Sequence, residues 1–263
     1  MEDNRNNWIV SYPDDGNSVC YDLEDASFWY QHRNECLVAA MKADGFPAEF
    51  YDIGGGNGIT ALAMQQAGYD VTLIEPYLTG VRNARKRGIV KTVHSTLEDY
   101  VSMGYEPVPA AGFFDVMEHI ENDKEFLRKI NQLLVPDGRI MLTVPAFNSL
   151  WSENDVQLGH FRRYTLADLT QLLSETGFEV KYKTYFFSLV WLPMWVTRVL
   201  VEKFGIKKKN TPQKKKNEHM AGRPRTARLL RSLLHWEINA IRRRVSIPLG
   251  TSCLIIAQKT REM

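Results

Sequence analysis

Phe50-Tyr51-Asp52-Ile53-Gly54-Gly55-Gly56-Asn57-Gly58 is the stretch from which the rest of the chain is read. Residues 50–53 have the apolar, strand-forming character of a buried parallel strand, and residues 59–67 (ITALAMQQA) have helical composition and periodicity. The glycines therefore occupy a strand-to-helix turn. A residue without Cβ there lets the backbone approach a ligand closely, while free N–H groups at the helix start face it. The next apolar run, residues 70–74 (DVTLI), ends at Glu75. That places a carboxylate at the carboxyl end of a second parallel strand, where an acid can accept hydrogen bonds from both hydroxyls of a ribose.

Spacing decides which cofactor class such a turn fits. The dinucleotide fingerprint needs glycines at G-x-G-x-x-G, but counting from Gly54 and Gly56 puts Ile59 at the third position. Gly54, Gly56 and Gly58 instead form G-x-G-x-G, with Asp52 two residues ahead.

A chain of 263 residues is long enough for one sizeable α/β domain with an insertion. Hydrophobic content of 44% and charged content of 24% are ordinary for a soluble globular protein. Cys20, Cys36 and Cys253 are odd in number and unrelated in spacing, which suggests neither a disulfide framework nor a zinc site; a reducing cytoplasm is the expected home. The first residues lack a basic region followed by an apolar core, so no signal peptide is expected. The net charge of +2 conceals a division. Residues 198–244 carry 15 Lys and Arg against 3 acids, and the remainder carries 18 against 28. One segment is strongly basic and the body is acidic, an asymmetry that points to an anionic surface as partner.

Residues 1–20 are polar and read as a loose arm. A helix follows to about Lys42, with Asp25 or Ser27 as its N-cap; it carries Phe28, Trp29, His32 and Arg33 and reads either as packing against the domain or as a lid over the cofactor. After Glu75-Pro76, residues 81–87 read as a basic helix and 90–93 as a third strand, followed by Thr96-Leu97-Glu98, a mixture able to grip an adenine. Residues 112–120 read as a fourth strand that ends in Asp115, Glu118 and His119. A helix over 123–134 is stopped by Pro136-Asp137-Gly138, and 139–144 is a fifth strand. Alternation of this kind indicates a parallel sheet with helices on both faces and ligands outside the carboxyl ends of the strands.

The G-x-G-x-G turn resembles the first motif of the class I S-adenosylmethionine-dependent methyltransferases. Residues 52–58 (DIGGGNG), 73–76 (LIEP), 114–123 (FDVMEHIEND) and 133–139 (LLVPDGR) are similar to the bacterial type 11, 12 and 23 domains of that class, as are SFWYQHRN at 27–34 and LGHFRRYT at 158–165. The likeness covers about residues 22–260. It implies a Rossmann-like seven-stranded, mostly parallel sheet with an antiparallel last strand, and S-adenosylmethionine as cofactor. Asp52, Gly54, Gly56, Gly58, Glu75, Pro76, Thr96, Leu97, Glu98 and Asp115 are then the cofactor-binding residues. Gly55 and Asn57 stand where many relatives carry Cys and Thr.

Methyl transfer is an in-line displacement with an excellent leaving group, so the protein mainly has to hold two reactants at attack distance and alignment. A base is needed only when the acceptor must lose a proton, as a hydroxyl must. The cluster D-x-x-E-H at Asp115, Glu118 and His119 is similar to the E-x-x-E-H of ubiquinone-pathway O-methyltransferases, where the resemblance implies a divalent metal; with the shorter Asp115 leading, no metal is expected here. Residues 151–165 (WSENDVQLGHFRRYT) read as a polar, aromatic loop overhanging the methyl group. His160 can take a proton near neutral pH, Tyr164 can hydrogen-bond the acceptor, and Arg162 or Arg163 can hold an acidic group on it. His160, His119 and Tyr164 are the catalytic candidates, and Trp29, Arg33, Glu118, Trp151, Arg162 and Arg163 the substrate-binding ones.

Residues 178–185 alternate as a sixth strand, and the last, 252–259 (SCLIIAQK), follows only after a detour. The reading is therefore an arm (1–21), a methyltransferase domain (22–187 and 246–263) and a helical, basic insertion (188–245). The insertion opens with an apolar, Trp-containing helix too short and interrupted to span a bilayer, passes through the lysine-rich run 207–216, and closes with a helix over 226–244. It reads as an acceptor lid, a contact with anionic membrane, or a docked helix with a solvated linker. Nucleic acid is disfavoured because aromatics are not interleaved with the lysines. The function expected is methylation, on oxygen, of a small, partly apolar or lipid-linked acceptor. The alternatives are a non-catalytic cofactor-binding module and an RNA methyltransferase using the basic insertion.

Overall fold

A computed structural model describes residues 17, 21, 24, 25, 27–203 and 224–261. The lysine-rich run 207–216 and most of the N-terminal arm lie outside the described residues. Seven strands form one sheet: β1 (Glu49–Ile53), β2 (Asp70–Glu75), β3 (Lys91–His94), β4 (Val108–Phe114), β5 (Leu134–Pro145), β6 (Phe178–Phe186) and β7 (Ser252–Lys259). Their order is β3-β2-β1-β4-β5-β7-β6. The first five run parallel, and β7 is antiparallel to both β5 and β6. The strand direction reverses only at β7, so every glycine turn and acid named above comes to one edge.

Helices α1 (Phe28–Asp44), α2 (Ile59–Gln66), α3 (Leu78–Arg87), α4 (Leu97–Ser102), α5 (Asp123–Leu133), α6 (Glu153–Leu158) and α7 (Leu166–Glu175) connect and cover the strands. Two apolar cores result, one on each face of the sheet. Central strands buried on both faces read as continuous apolar runs, as in β7. Caps set the helix boundaries: Thr96 accepts from Asp99 N, Asn122 from Glu125 N, and Thr165 forms a capping box with Asp168.

Three readings of local structure are corrected. Pro136-Asp137-Gly138 does not separate a helix from β5 but lies within it: the pairing to β4 jumps from Leu134 to Arg139, and Asp137 takes a left-handed φ of 63°. Such a bulge absorbs turn residues without ending the strand. The fourth strand begins earlier and stops at Phe114, because Asp115 turns left-handed (φ 57°) and Met117–His119 closes a 3-10 turn. Within 151–165, α6 is a helix rather than loop, started by a capping box between Ser152 and Asp155.

Between β6 and β7, the segment read above as an insertion, the described residues form two helices, α8 (Ser188–Lys203) and α9 (Pro224–Arg242). α9 packs on α1, and its Leu234, Ile238 and Ile241 are buried in the same core as Leu37 and Phe50. His32 follows the packing reading of α1 rather than the lid reading: it is fully buried, and its Nε2 lies 2.9 Å from Glu237 of α9. Glu237 also accepts from the N–H groups of Phe187 (2.9 Å) and Ser188 (2.7 Å) and from the Ser188 hydroxyl. One buried carboxylate thus caps α8 and ties α9 to α1.

Candidate functional site

A cavity of about 570 Å³ opens at the carboxyl ends of the parallel strands. Its floor is the glycine turn. Gly54 and Gly56 take left-handed φ values of 70° and 54°, and Gly54 N donates to Ile74 O at 2.8 Å. Gly58 is also left-handed (φ 79°) but does not line the cavity: a Cβ there would meet Ala84 at 2.9 Å, so this glycine serves the packing of α2 on α3. Of the expected cofactor residues, Asp52, Gly54, Gly56, Glu75, Pro76, Thr96, Leu97, Glu98 and Asp115 all line the cavity.

Glu75 ends β2 and is buried; its Oε2 accepts from Gly56 N (2.9 Å), and its Oε1 from Tyr77 N (3.0 Å) and Asn17 Nδ2 (3.4 Å). Burial raises its pKa against the pull of these N–H groups. Burial likewise pushes Asp52 up to about 7, opposed by Arg33 and reinforced by Glu75. Asp52 Oδ2 and Arg33 Nε are buried with no hydrogen-bond partner among the described residues. Both residues line the cavity, and unsatisfied polar atoms of both signs there suit a ligand carrying an ammonium and a carboxylate. Arg33 is otherwise held by Asp115 Oδ2 and by Thr60 Oγ1 at 2.7 Å, and Thr143 Oγ1 donates to Asp115 Oδ1 at 3.1 Å.

The second half of the cavity lies beyond β4 and β5. The 3-10 turn Met117–His119 presents Glu118 and His119. Burial, with Asp115 adding to it, raises Glu118 well above the ordinary carboxylate range; burial, then the neighbouring His160, lowers His119 to about 4. At neutral pH His119 is therefore uncharged, and Glu118 is displaced toward its protonated form. The rings of His119 and His160 meet edge to face, 4.7 Å between centroids. His160 Nδ1 lies 2.9 Å from Asp155 Oδ1, which also accepts from Arg163 Nε at 2.7 Å. Burial would raise the pKa of Asp155, but hydrogen bonds from His160, Arg163 and Ser152 outweigh it and hold the group well below the usual range. An ionised Asp155 selects the tautomer with the proton on Nδ1, which leaves a lone pair on Nε2. Ligand atoms of Glu118, His119 and His160 lie within 4.8 Å of one another.

Trp29, stacked on Phe187 at 3.6 Å, lines this half of the cavity together with Arg33, His160 and Arg163. Three expected residues do not reach it. Tyr164 is buried, its hydroxyl donating to Asp123 Oδ2 (3.0 Å); Arg162 Nη1 bonds the same carboxylate (2.7 Å). Tyr164 pairs with Ala146 in a parallel bridge, and along extended backbone neighbours alternate sides, so Arg163 faces in while Arg162 and Tyr164 face away. Trp151 precedes α6 and does not line the cavity. Arg163 is neutralised by Asp155 and so shapes the loop rather than offering a free cation.

Sequence reading missed Asn17, Thr60, Val190 and Met194, all of which line the cavity. Val190 and Met194 are four apart on α8, a helical spacing that marks one face; Asn17 carried no signal.

Residues 30–183 match the model of a family described as a methyltransferase domain. A ubiquinone biosynthesis O-methyltransferase of Rickettsia conorii is 26% identical over 127 residues, which are 46% of this chain and 43% of that protein. That of Rickettsia canadensis is 24% identical, over 51% of this chain and 63% of its own. The chain thus spans less than two thirds of the length of these curated relatives. Among solved structures, a chain of the complex between the Haloferax volcanii Trm112 methyltransferase activator and its methyltransferase aligns with a TM-score of 0.60, at 12% identity over 97% of this chain and 99% of that one. Magnesium protoporphyrin IX methyltransferase from Synechocystis with bound SAH aligns with a TM-score of 0.52, at 14% identity over 88% and 83%. These structural likenesses bear on the fold.

Proposed function

We propose that this chain, which belongs to the methyltransferase-domain family, takes S-adenosylmethionine as cofactor and methylates a hydroxyl oxygen on a small, partly apolar acceptor. The observation that carries this reading is His160 on the cavity wall, its Nδ1 held by buried Asp155 and its Nε2 left as the base. A hydroxyl must lose a proton as it attacks, and an imidazole so oriented can take it. Glu118, raised well above the ordinary carboxylate range, and His119, uncharged at neutral pH, form the wall beside it. Among the described residues every Lys and Arg lining this cavity is paired with a carboxylate, Arg33 with Asp115, Arg163 with Asp155 and Lys129 with Glu98, which favours a neutral acceptor over an acidic one. Trp29, Val190 and Met194 supply apolar surface for its body. The partial likeness to ubiquinone biosynthesis O-methyltransferases supports oxygen as the methylated atom.

In this reading α8 is the acceptor lid, anchored through Glu237. Leu189, Leu192 and Val196 on α8 are exposed, and the chain between α8 and α9 is rich in lysine. Peripheral contact with anionic lipid, from which an amphipathic acceptor would enter, follows from that pairing. Among the described residues no helix is long and apolar enough to cross a membrane.

The test is to incubate the chain with S-adenosylmethionine and paired acceptors that differ only in hydroxyl against amine, and to identify methylated products by mass spectrometry. O-methylated product that depends on His160 is expected. Methylation of the amine series alone, or turnover untouched by His160→Ala, would remove the proposal.

A further inference from the structure

A carboxylate offers about four acceptor positions. At Glu75 three are filled among the described residues: Asn17 Nδ2 and Tyr77 N donate to Oε1, and Gly56 N to Oε2. That leaves one on Oε2, yet a ribose brings two hydroxyl donors. Asn17 sits on the same carboxylate, at Oε1. It is 4% exposed and lines the same cavity, and its Oδ1 lies 3.5 Å from the point a Cβ on Gly56 would occupy.

Asn17 is held there by the turn itself. Its backbone carbonyl accepts from Asn57 Nδ2 (2.9 Å) and Asn83 Nδ2 (3.5 Å), and Asn83 Nδ2 also donates to Asn57 Oδ1 (2.9 Å). Asn57 Nδ2 reaches Glu24 Oε1 as well (3.0 Å), and Arg87 bonds Glu24 Oε2 at 2.7 Å. A threonine hydroxyl has one proton to donate, whereas the Asn57 amide has two and can hold the Asn17 carbonyl and Glu24 at once.

We propose that Asn17 is a cofactor-binding residue whose Oδ1 accepts the ribose hydroxyl that Glu75 has no room for, and that Asn57 is the residue that holds Asn17 in place. The inference rests on the cofactor assignment and deepens it. The third wall of the ribose site then comes from outside the strand-end motifs, and the asparagine in the glycine turn is the feature that recruits it.

The test is calorimetric titration of S-adenosylhomocysteine and its 2′-deoxy and 3′-deoxy ribose analogues against the full chain and four variants. Asn17→Ala is expected to weaken S-adenosylhomocysteine about tenfold, and to bind one deoxy analogue as well as the parent, where the unaltered chain loses about tenfold on it. Asn57→Thr is expected to lose a similar factor, and the double variant no more than either alone, because both act through one contact. It also keeps the test open if Asn17→Ala fails to fold. Unchanged affinity in Asn17→Ala, or full discrimination against both analogues, overturns the role of Asn17 if Glu75→Ala still loses binding. If Glu75→Ala also binds normally, the ribose lies elsewhere and the cofactor site itself is misassigned.

Discussion

Replacing Glu237 by Gln tests the link between insertion and domain. The carboxylate is fully buried and accepts four hydrogen bonds, from His32, two backbone N–H groups at the start of α8, and Ser188 Oγ. An amide of the same shape keeps one oxygen acceptor but turns an NH₂ toward donors, so at least one buried N–H is left unsatisfied. Leaving a buried donor without its acceptor costs about 1–3 kcal/mol. Each kcal/mol moves the melting temperature of a chain this size by about 2–4 °C, so a fall of about 2–12 °C is expected. Burial alone would raise the pKa of Glu237, but His32 and Ser188 outweigh it and hold the folded value below the ordinary 4.5. A depressed acid contributes stability above its unfolded pKa and loses it as pH falls through the folded one. The gap between wild type and variant should therefore be full at neutral pH and narrow below about pH 4.5. The assay is thermal unfolding by circular dichroism from pH 3 upward, with S-adenosylhomocysteine affinity as the control. A shift under about 2 °C, or a gap that does not change in acid, would refute the reasoning.

Glu75→Ala removes a charge-assisted partner of the ribose and should weaken cofactor binding at least about tenfold by calorimetry; unchanged affinity means the ribose is held elsewhere. His160→Ala should lower turnover by about 10²-fold or more while leaving cofactor affinity within a factor of about two, and the reverse pattern moves His160 out of the acceptor half. Treatment with chelator should leave activity intact. A loss restored by Mg²⁺ or Zn²⁺ would instead assign Glu118, His119 and His160 as ligands. Deleting residues 207–216 should reduce sedimentation with anionic vesicles, each lysine near the surface contributing about 1 kcal/mol; equal sedimentation leaves the run as a solvated linker.

What the sequence determined by itself was everything carried by short-range pattern. Gly54 to Gly58, Glu75 and the apolar run of β7 lie where their local text puts them, because strand–turn–helix units are built from neighbours along the chain. That chemistry also excluded the dinucleotide fingerprint through one misplaced residue, Ile59. Tertiary structure decided whatever depends on which way a side chain faces or on contacts across long stretches of chain. Asp155 organises His160 and Arg163 only because α6 forms, and Tyr164 turns away only because of its bridge to Ala146. His32 is committed to packing by Glu237, a partner 205 residues away. Asn17 reaches Glu75 across 58 residues through a network no periodicity announces. Local propensity sets elements, but a buried polar group must find its partner wherever the fold brings one, and that requirement is settled only when the chain is packed.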